Sequence, residues 1–222
     1  MIDKRVATVE EAVAGIRDGA TLLVGGFGSS GIPAELVHAV LDLGVRDLTL
    51  VNNNAGSGET DIAALIRERR IRKIICSYPR AIGSVWFQKR WEAGEIELEL
   101  VPQGTLSERL RAAGAGIGGF YTPTGADSQL AEGKETRMID GRLHVLESPL
   151  RGDVALIKAD RADRWGNLTY HSAARNFGPT MATAAALTVV QVRELAELGE
   201  LDPETVITPG IFVDRVVEVP GG

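Results

Sequence analysis

The chain has 222 residues, 44% hydrophobic and 24% charged, enough for one compact domain with its own core. Lys and Arg number 24 against 30 Asp and Glu, a net charge of -6, and the two signs alternate along the chain. That balance speaks against nucleic acid and anionic membranes as partners, because no basic segment stands ready to neutralise phosphate.

Thr8-Val9-Glu10-Glu11 has the spacing of a capping box, and Val9, Val13 and Ile16 recur at helical intervals towards a stop at Gly19. Thr21-Leu22-Leu23-Val24 is an apolar run suited to a sheet covered on both faces. A helix is predicted over 33–43 with Pro33 in its first turn, then a strand over 48–51 and a helix over 61–70. A strand over 73–76, a helix over 84–93 and a strand over 96–101 follow. Thr105-Leu106-Ser107-Glu108 reads as a second capping box, opening a helix over 106–113. Residues 114–133, rich in Gly, Pro and Thr, read as a long loop. Beyond it, strands are predicted over 142–147, 154–159 and 168–171, a helix over 181–186, and strands over 187–192 and 211–219. The alternation predicts an α/β fold: a mostly parallel sheet flanked by helices, joined by right-handed crossovers in a single domain over 1–222.

Cys76 is the sole cysteine, so neither an internal disulfide nor a multi-thiolate metal site is expected. Following Ile74-Ile75 on a strand, it reads as a small core residue. No segment has the character of a leader or a membrane span, which leaves a cytoplasmic enzyme or binding subunit as the expectation.

Chemistry concentrates at strand ends. Gly25-Gly26-Phe27-Gly28-Ser29-Ser30-Gly31 leaves one strand and enters the next helix, and Gly26 to Gly31 spells G-x-G-x-x-G. Such a turn presents backbone amides to an anionic ligand, although a tight strand-to-helix turn needs glycine whatever it binds. A dinucleotide site would put a carboxylate at the end of the following strand to hold the ribose. Asn52-Asn53-Asn54-Ala55-Gly56 stands there instead, offering either amide donors to a substrate oxygen or an Asn-rich turn. Gln103, after Val101-Pro102, occupies the equivalent place at a third strand end, as an orienting amide or a polar turn residue.

Ser29 and Ser30 do not form a nucleophile elbow, since Phe27 stands where Gly-x-Ser-x-Gly requires glycine. His38, His144 and His171 read as ordinary surface or core residues. In Ser172-Ala173-Ala174-Arg175-Asn176-Phe177-Gly178-Pro179, Arg175 is placed either to pair with a substrate carboxylate or to form a surface ion pair. The candidate loops therefore hold donors and positioning groups but no nucleophile. A nicotinamide-dependent dehydrogenase and a non-catalytic sensor for CoA-like or phosphorylated effectors are the rival readings; Asn52-Asn53-Asn54 argues against the first.

The run Asp18 to Pro33 resembles the A-subunit signature of the family I coenzyme A transferases. Asn53-Asn54-Ala55-Gly56, Pro102-Gln103-Gly104-Thr105-Leu106, Gly114-Ala115-Gly116, Phe120-Tyr121-Thr122, Ala174-Arg175-Asn176-Phe177 and Thr208-Pro209-Gly210-Ile211 continue the likeness almost end to end. Within the family the blocks look most like the 3-oxoadipate subgroup, with the acetoacetate/3-oxoacid subgroup next. The resemblance implies a ping-pong transfer of CoA between carboxylic acids, with succinyl-CoA as donor. It implies a glutamate nucleophile on a B subunit, hence a heterodimer or heterotetramer. CoA and its thioesters would be substrates, with no permanently bound cofactor and no metal. It assigns Gly25, Gly26, Phe27, Gly28, Ser29, Ser30 and Gly31 either to cradling CoA or to offering backbone amides to the oxyanion, Asn54 together with Asn53 to oxyanion support, and Gln103 to orienting the partner's glutamate.

Overall fold

The computed structural model describes residues 2–220. A nine-stranded sheet forms its centre, in the order β1 (Arg5–Val6), β12 (Arg215–Glu218), β11 (Ala185–Ala196), β9 (Gly152–Asp163), β2 (Thr21–Val24), β3 (Leu48–Val51), β4 (Ile71–Cys76), β5 (Glu97–Leu100). Every neighbouring pair along that path is parallel, and β10 (Leu168–Thr169) adds to β9 antiparallel. From β2 the chain builds outward through β3, β4 and β5; β9, β11 and β12 lie on the other side. The order therefore reverses between β2 and β9, and the loops at the carboxyl ends of the strands on the β2 side are where an open parallel sheet binds ligands.

Alternate side chains of each central strand enter different cores. Leu22, Val24, Leu50, Ile74 and Cys76 pack under α1 (Val9–Val13), α2 (Ala34–Leu43), α3 (Asp61–Arg67) and α4 (Val85–Glu92). Leu23, Val51, Ile75 and Ile157 pack under α5 (Gln103–Gly114) and α6 (Gly178–Ala184). Burial on both faces explains why these strands read as unbroken apolar runs. A three-stranded antiparallel sheet, in the order β6 (Phe120–Thr122), β8 (Arg142–Glu147), β7 (Thr136–Ile139), stands apart from the main one. Arg109 of α5 ties it down, donating to Ser148 O at 2.8 Å and lying 3.9 Å from buried Glu147, which also takes Lys134 at 2.6 Å. The outer strand β5 is charged: Lys73 reaches Glu97 at 2.9 Å and Glu99 at 2.8 Å, and Arg109 reaches Glu99 at 2.7 Å.

Several sequence expectations need correction. The second capping box does not form: α5 begins at Gln103, behind Pro102, and Thr105 is buried in its first turn. In the first box Thr8 Oγ1 accepts from the Glu11 amide at 3.2 Å, but Glu11 Oε2 takes the Ala7 amide instead of that of Thr8. Helix α1 ends at Val13, well before Gly19, and α3 ends at Arg67. Strands β9 and β11 run to twelve residues each, past the charged positions where the apolar pattern stops. Cross-strand ion pairs carry them on, Arg161 to Glu194 at 2.9 Å and Arg193 to Asp160 at 3.0 Å. Within 114–133 the chain forms β6 and a 3-10 turn at Gln129–Ala131. Helix α6 starts at Gly178, three residues earlier than its apolar pattern, and ends at Ala184. The last strand is confined to β12, because 210–212 make a 3-10 turn.

Cys76 behaves as the core residue expected. Burial pushes its thiol from 9.0 up to about 12, only partly offset by a backbone hydrogen bond from Tyr78. That removes roughly three orders of magnitude of thiolate at pH 8. Iodoacetamide at pH 8 is expected to leave Cys76 unmodified in the native protein and to label it once urea unfolds the chain. Native-state labelling on mass analysis would contradict the packing.

Candidate functional site

Four loops leave the carboxyl ends of β2, β3, β4 and β5, and together they line a cleft of about 590 Å³. Phe27, Gly28 and Ser29 come from the first, Asn53, Asn54 and Ser57 from the second, Ser77, Tyr78 and Ala81 from the third, and Gln103 opens α5. Among the described residues, no charged side chain lines it.

The Asn-rich strand end divides its labour. Asn52 is fully buried and structural: Nδ2 donates to Val24 O at 2.6 Å and Gly25 O at 3.3 Å, while Oδ1 accepts the Asn54 amide at 2.9 Å. Asn53 accepts Ser77 Oγ on Oδ1 at 2.6 Å, and its backbone carbonyl takes the Tyr78 amide at 3.0 Å, so the β3 and β4 loops are joined. Its Nδ2 has no partner among the described residues. Asn54 Oδ1 accepts the Gly56 amide at 2.8 Å, and this fixes the identity of the other terminus. Asn54 Nδ2 is a buried donor without a partner among the described residues, on a residue only 6% exposed. A donor left so costs about 1–3 kcal/mol, a cost recovered when a ligand oxygen accepts from it. Gln103 is exposed, and its amide is equally uncommitted among the described residues.

The glycine-rich turn is narrower in function than its sequence suggests. Gly25 N donates to Leu156 O at 2.9 Å, Gly26 N to Asn176 Oδ1 at 2.9 Å, and Phe27 and Ser30 exchange amide bonds at 2.9 and 3.1 Å. Those four amides are taken. Within the turn, only Gly28 and Ser29, at the tip, combine amides free of partners among the described residues with a place in the cleft. Gly26 has φ of 127° and an added Cβ would lie 2.5 Å from Ile32 Cγ1, so glycine there is required by the fold. Ser30 and Gly31 face a separate cavity of about 300 Å³ with Lys158, Tyr170 and His171.

Of the ten candidate residues, Phe27, Gly28, Ser29, Asn53, Asn54 and Gln103 therefore converge, while Gly25, Gly26, Ser30 and Gly31 support them from behind. The three histidines stay out of the cleft: His38 Nε2 accepts the Asp61 amide, and His144 Nδ1 lies 2.9 Å from Arg142 O. His171 is exposed, just before the 3-10 turn 172–175 and not on a strand. Arg175 is exposed and forms no ion pair among the described residues. Ser57, Ser77, Tyr78 and Ala81 line the cleft without having been expected there. Ser77 and Tyr78 follow a strand end just as Asn53 and Gln103 do, and the same rule would have found them.

The cleft can bind and stabilise an oxygen that gains negative charge. Among the described residues, no carboxylate, thiolate or histidine lines it, and its hydroxyls at Ser29, Ser57, Ser77 and Tyr78 have no such base beside them. No group of three or more metal-ligating side chains is found among the described residues.

Asn52→Ala is expected to leave the Val24 carbonyl and the Asn54 amide unpaired, at about 1–3 kcal/mol each. The melting temperature should fall by several degrees, at roughly 2–4 °C per kcal/mol for a chain of this size. An unchanged melting curve would rule out this anchoring role.

Similarity to known proteins runs the length of the chain. The coenzyme A transferase family profile matches residues 6–219. The A subunit of the 3-oxoadipate CoA-transferase of Pseudomonas putida is 58% identical over 221 residues, covering 100% of this chain and 96% of that protein. The A subunit of a probable succinyl-CoA:3-ketoacid coenzyme A transferase of Bacillus subtilis strain 168 is 47% identical, covering 96% of this chain and 89% of that protein. The solved decarboxylase AibA/AibB, a cysteine variant, superposes with a TM-score of 0.83 at 28% identity, covering 99% of this chain and 85% of that one. With its uncharged, donor-lined cleft at the strand ends, this chain belongs to the coenzyme A transferase family.

Proposed function

We propose that the chain is the A subunit of a heteromeric transferase that moves CoA from succinyl-CoA to a 3-oxo acid, 3-oxoadipate by preference. The observation that carries the reading is the cleft itself: donors at Gly28, Ser29, Asn53, Asn54 and Gln103, with no carboxylate, thiolate or histidine beside them among the described residues. Such a site is half of a catalytic centre. Higher identity to the 3-oxoadipate protein than to the 3-ketoacid one, 58% against 47%, supports the choice of acceptor. The likeness to a decarboxylase extends the fold to other chemistry, so support for the reaction comes from the sequence relatives and the cleft.

In this reading a glutamate carboxylate of the companion chain attacks the thioester carbonyl of succinyl-CoA. The carbonyl oxygen becomes an oxyanion, accepting from Asn54 Nδ2 and the tip amides, and collapse expels CoA thiolate to leave an acyl–glutamyl anhydride. The thiolate then attacks the glutamyl carbonyl, releasing succinate and forming a glutamyl-CoA thioester. The acceptor acid reverses the sequence and leaves as its CoA thioester. Gln103, at the mouth of α5, holds the glutamate in line. CoA enters and leaves as a substrate.

Co-expression with the companion chain tests this. The complex should convert succinyl-CoA and 3-oxoadipate to succinate and 3-oxoadipyl-CoA, with acetoacetate a poorer acceptor and the isolated chain inactive. Activity from the isolated chain would refute the shared site. In the assembled complex, Asn54→Ala should lower turnover about a hundredfold, as expected for one preorganised donor of about 3 kcal/mol. Turnover within twofold of the parent would remove Asn54 from the mechanism.

A further inference from the structure

In the sequence Asn176 stands beside Arg175, within a block of the family likeness, with no role of its own. It follows the 3-10 turn 172–175 with φ of 26° and ψ of -114°, a backbone state that non-glycine residues adopt only when surroundings impose it. Every hydrogen-bonding position of its carboxamide is used. Oδ1 accepts the amides of Gly26 at 2.9 Å and Phe177 at 2.7 Å; Nδ2 donates to Ser30 O at 3.1 Å and Ala174 O at 2.7 Å. Two of these bonds span 150 and 146 residues and grip the two ends of the glycine-rich turn.

The approach is close. A Cβ on Gly31, whose φ is 72°, would lie 2.2 Å from Ala174 O and 2.5 Å from Asn176 Nδ2, so the two backbones leave no room for a side chain between them. On its other side Asn176 is joined to Phe177, which is buried in the core beneath α5 and α6. Apart from Asn176, no group outside the turn hydrogen-bonds residues 26–31 among the described residues; the remaining bonds are the internal pair between Phe27 and Ser30. Asn52 and Leu156 reach only its base at Gly25.

We infer that Asn176 is the positioning residue of this turn, fixing the height and direction at which the Gly28 and Ser29 amides enter the cleft. The inference rests on the transferase reading of that cleft. Asn176 touches no substrate. Without its carboxamide the hairpin keeps its internal bonds but pivots about Gly25, and the tip donors lose their aim. Donors aimed at charge that exists only in the transition state contribute to kcat and little to substrate binding.

The test is Asn176→Ala in the assembled complex with the companion chain. With succinyl-CoA and 3-oxoadipate, kcat should fall by about tenfold to a hundredfold. Both KM values should stay within about threefold, because uniform binding is untouched. Hydrogen exchange of the Gly26 amide should accelerate, with the change confined to 25–33. A kcat within twofold of the parent, or unchanged exchange at Gly26, overturns the inference. Should the alanine variant fail to assemble, Asn176→Ser, which retains one acceptor, should show an intermediate loss of kcat with normal assembly; full activity in it overturns the inference too. A parent complex that transfers no CoA rejects the proposed reaction instead, and the exchange measurement then decides the role of Asn176 by itself.

Discussion

The fold of the cleft depends on a single buried carboxamide. Asn52 bonds across from the end of β3 to the carbonyls that end β2, and it turns its own oxygen on the Asn54 amide. A parallel sheet leaves the last carbonyls of its strands without ladder partners, and inside a protein these must be satisfied. Here the group that satisfies them also sets the start of the loop carrying Asn53 and Asn54. Ser77 then extends the linkage to β4, and Ser84 Oγ bonds Gly56 O at 2.6 Å. Three strand ends are thus fixed at one level by short polar side chains.

With that frame in place, the walls have an unusual balance. Donors are plentiful and charge is lacking, while Phe27 and Tyr78 remain 48% and 60% exposed on the rim. Amide dipoles held in place stabilise developing charge without the reorganisation that water would need. An arginine or lysine in the same place would favour a substrate carboxylate before it reacts, and that would bind the ground state more tightly without lowering the barrier.

Much of this was legible in the residues because a doubly covered parallel sheet writes itself as short apolar runs followed by glycine and asparagine. The runs at β2, β3 and β4 and the loops after them fall where the pattern puts them. What escaped depends on partners distant in sequence. Strands β9 and β11 continue through charged residues because each finds its counter-ion on the other, and no local window contains both. The largely exposed strand β7 has no apolar alternation to betray it. Local chemistry also misleads: Thr105 and Glu108 have capping spacing, yet Pro102 has already started the helix, which buries Thr105 and puts Gln103 at the cleft. Asn176 was hidden for the same reason, since its meaning lies in Gly26 and Ser30, some 150 positions earlier.

The outer strand β5 has a further effect. A free edge of a parallel sheet is a template on which another polypeptide can add by backbone pairing. This one is four residues long, and Lys73, Glu97, Glu99 and Arg109 crowd its length with opposed charges. A strand arriving there would have to strip water from those ions for four residues of ladder. The opposite margin, β1, is only two residues long. Fibre-like stacking of copies is therefore opposed at both margins of the main sheet.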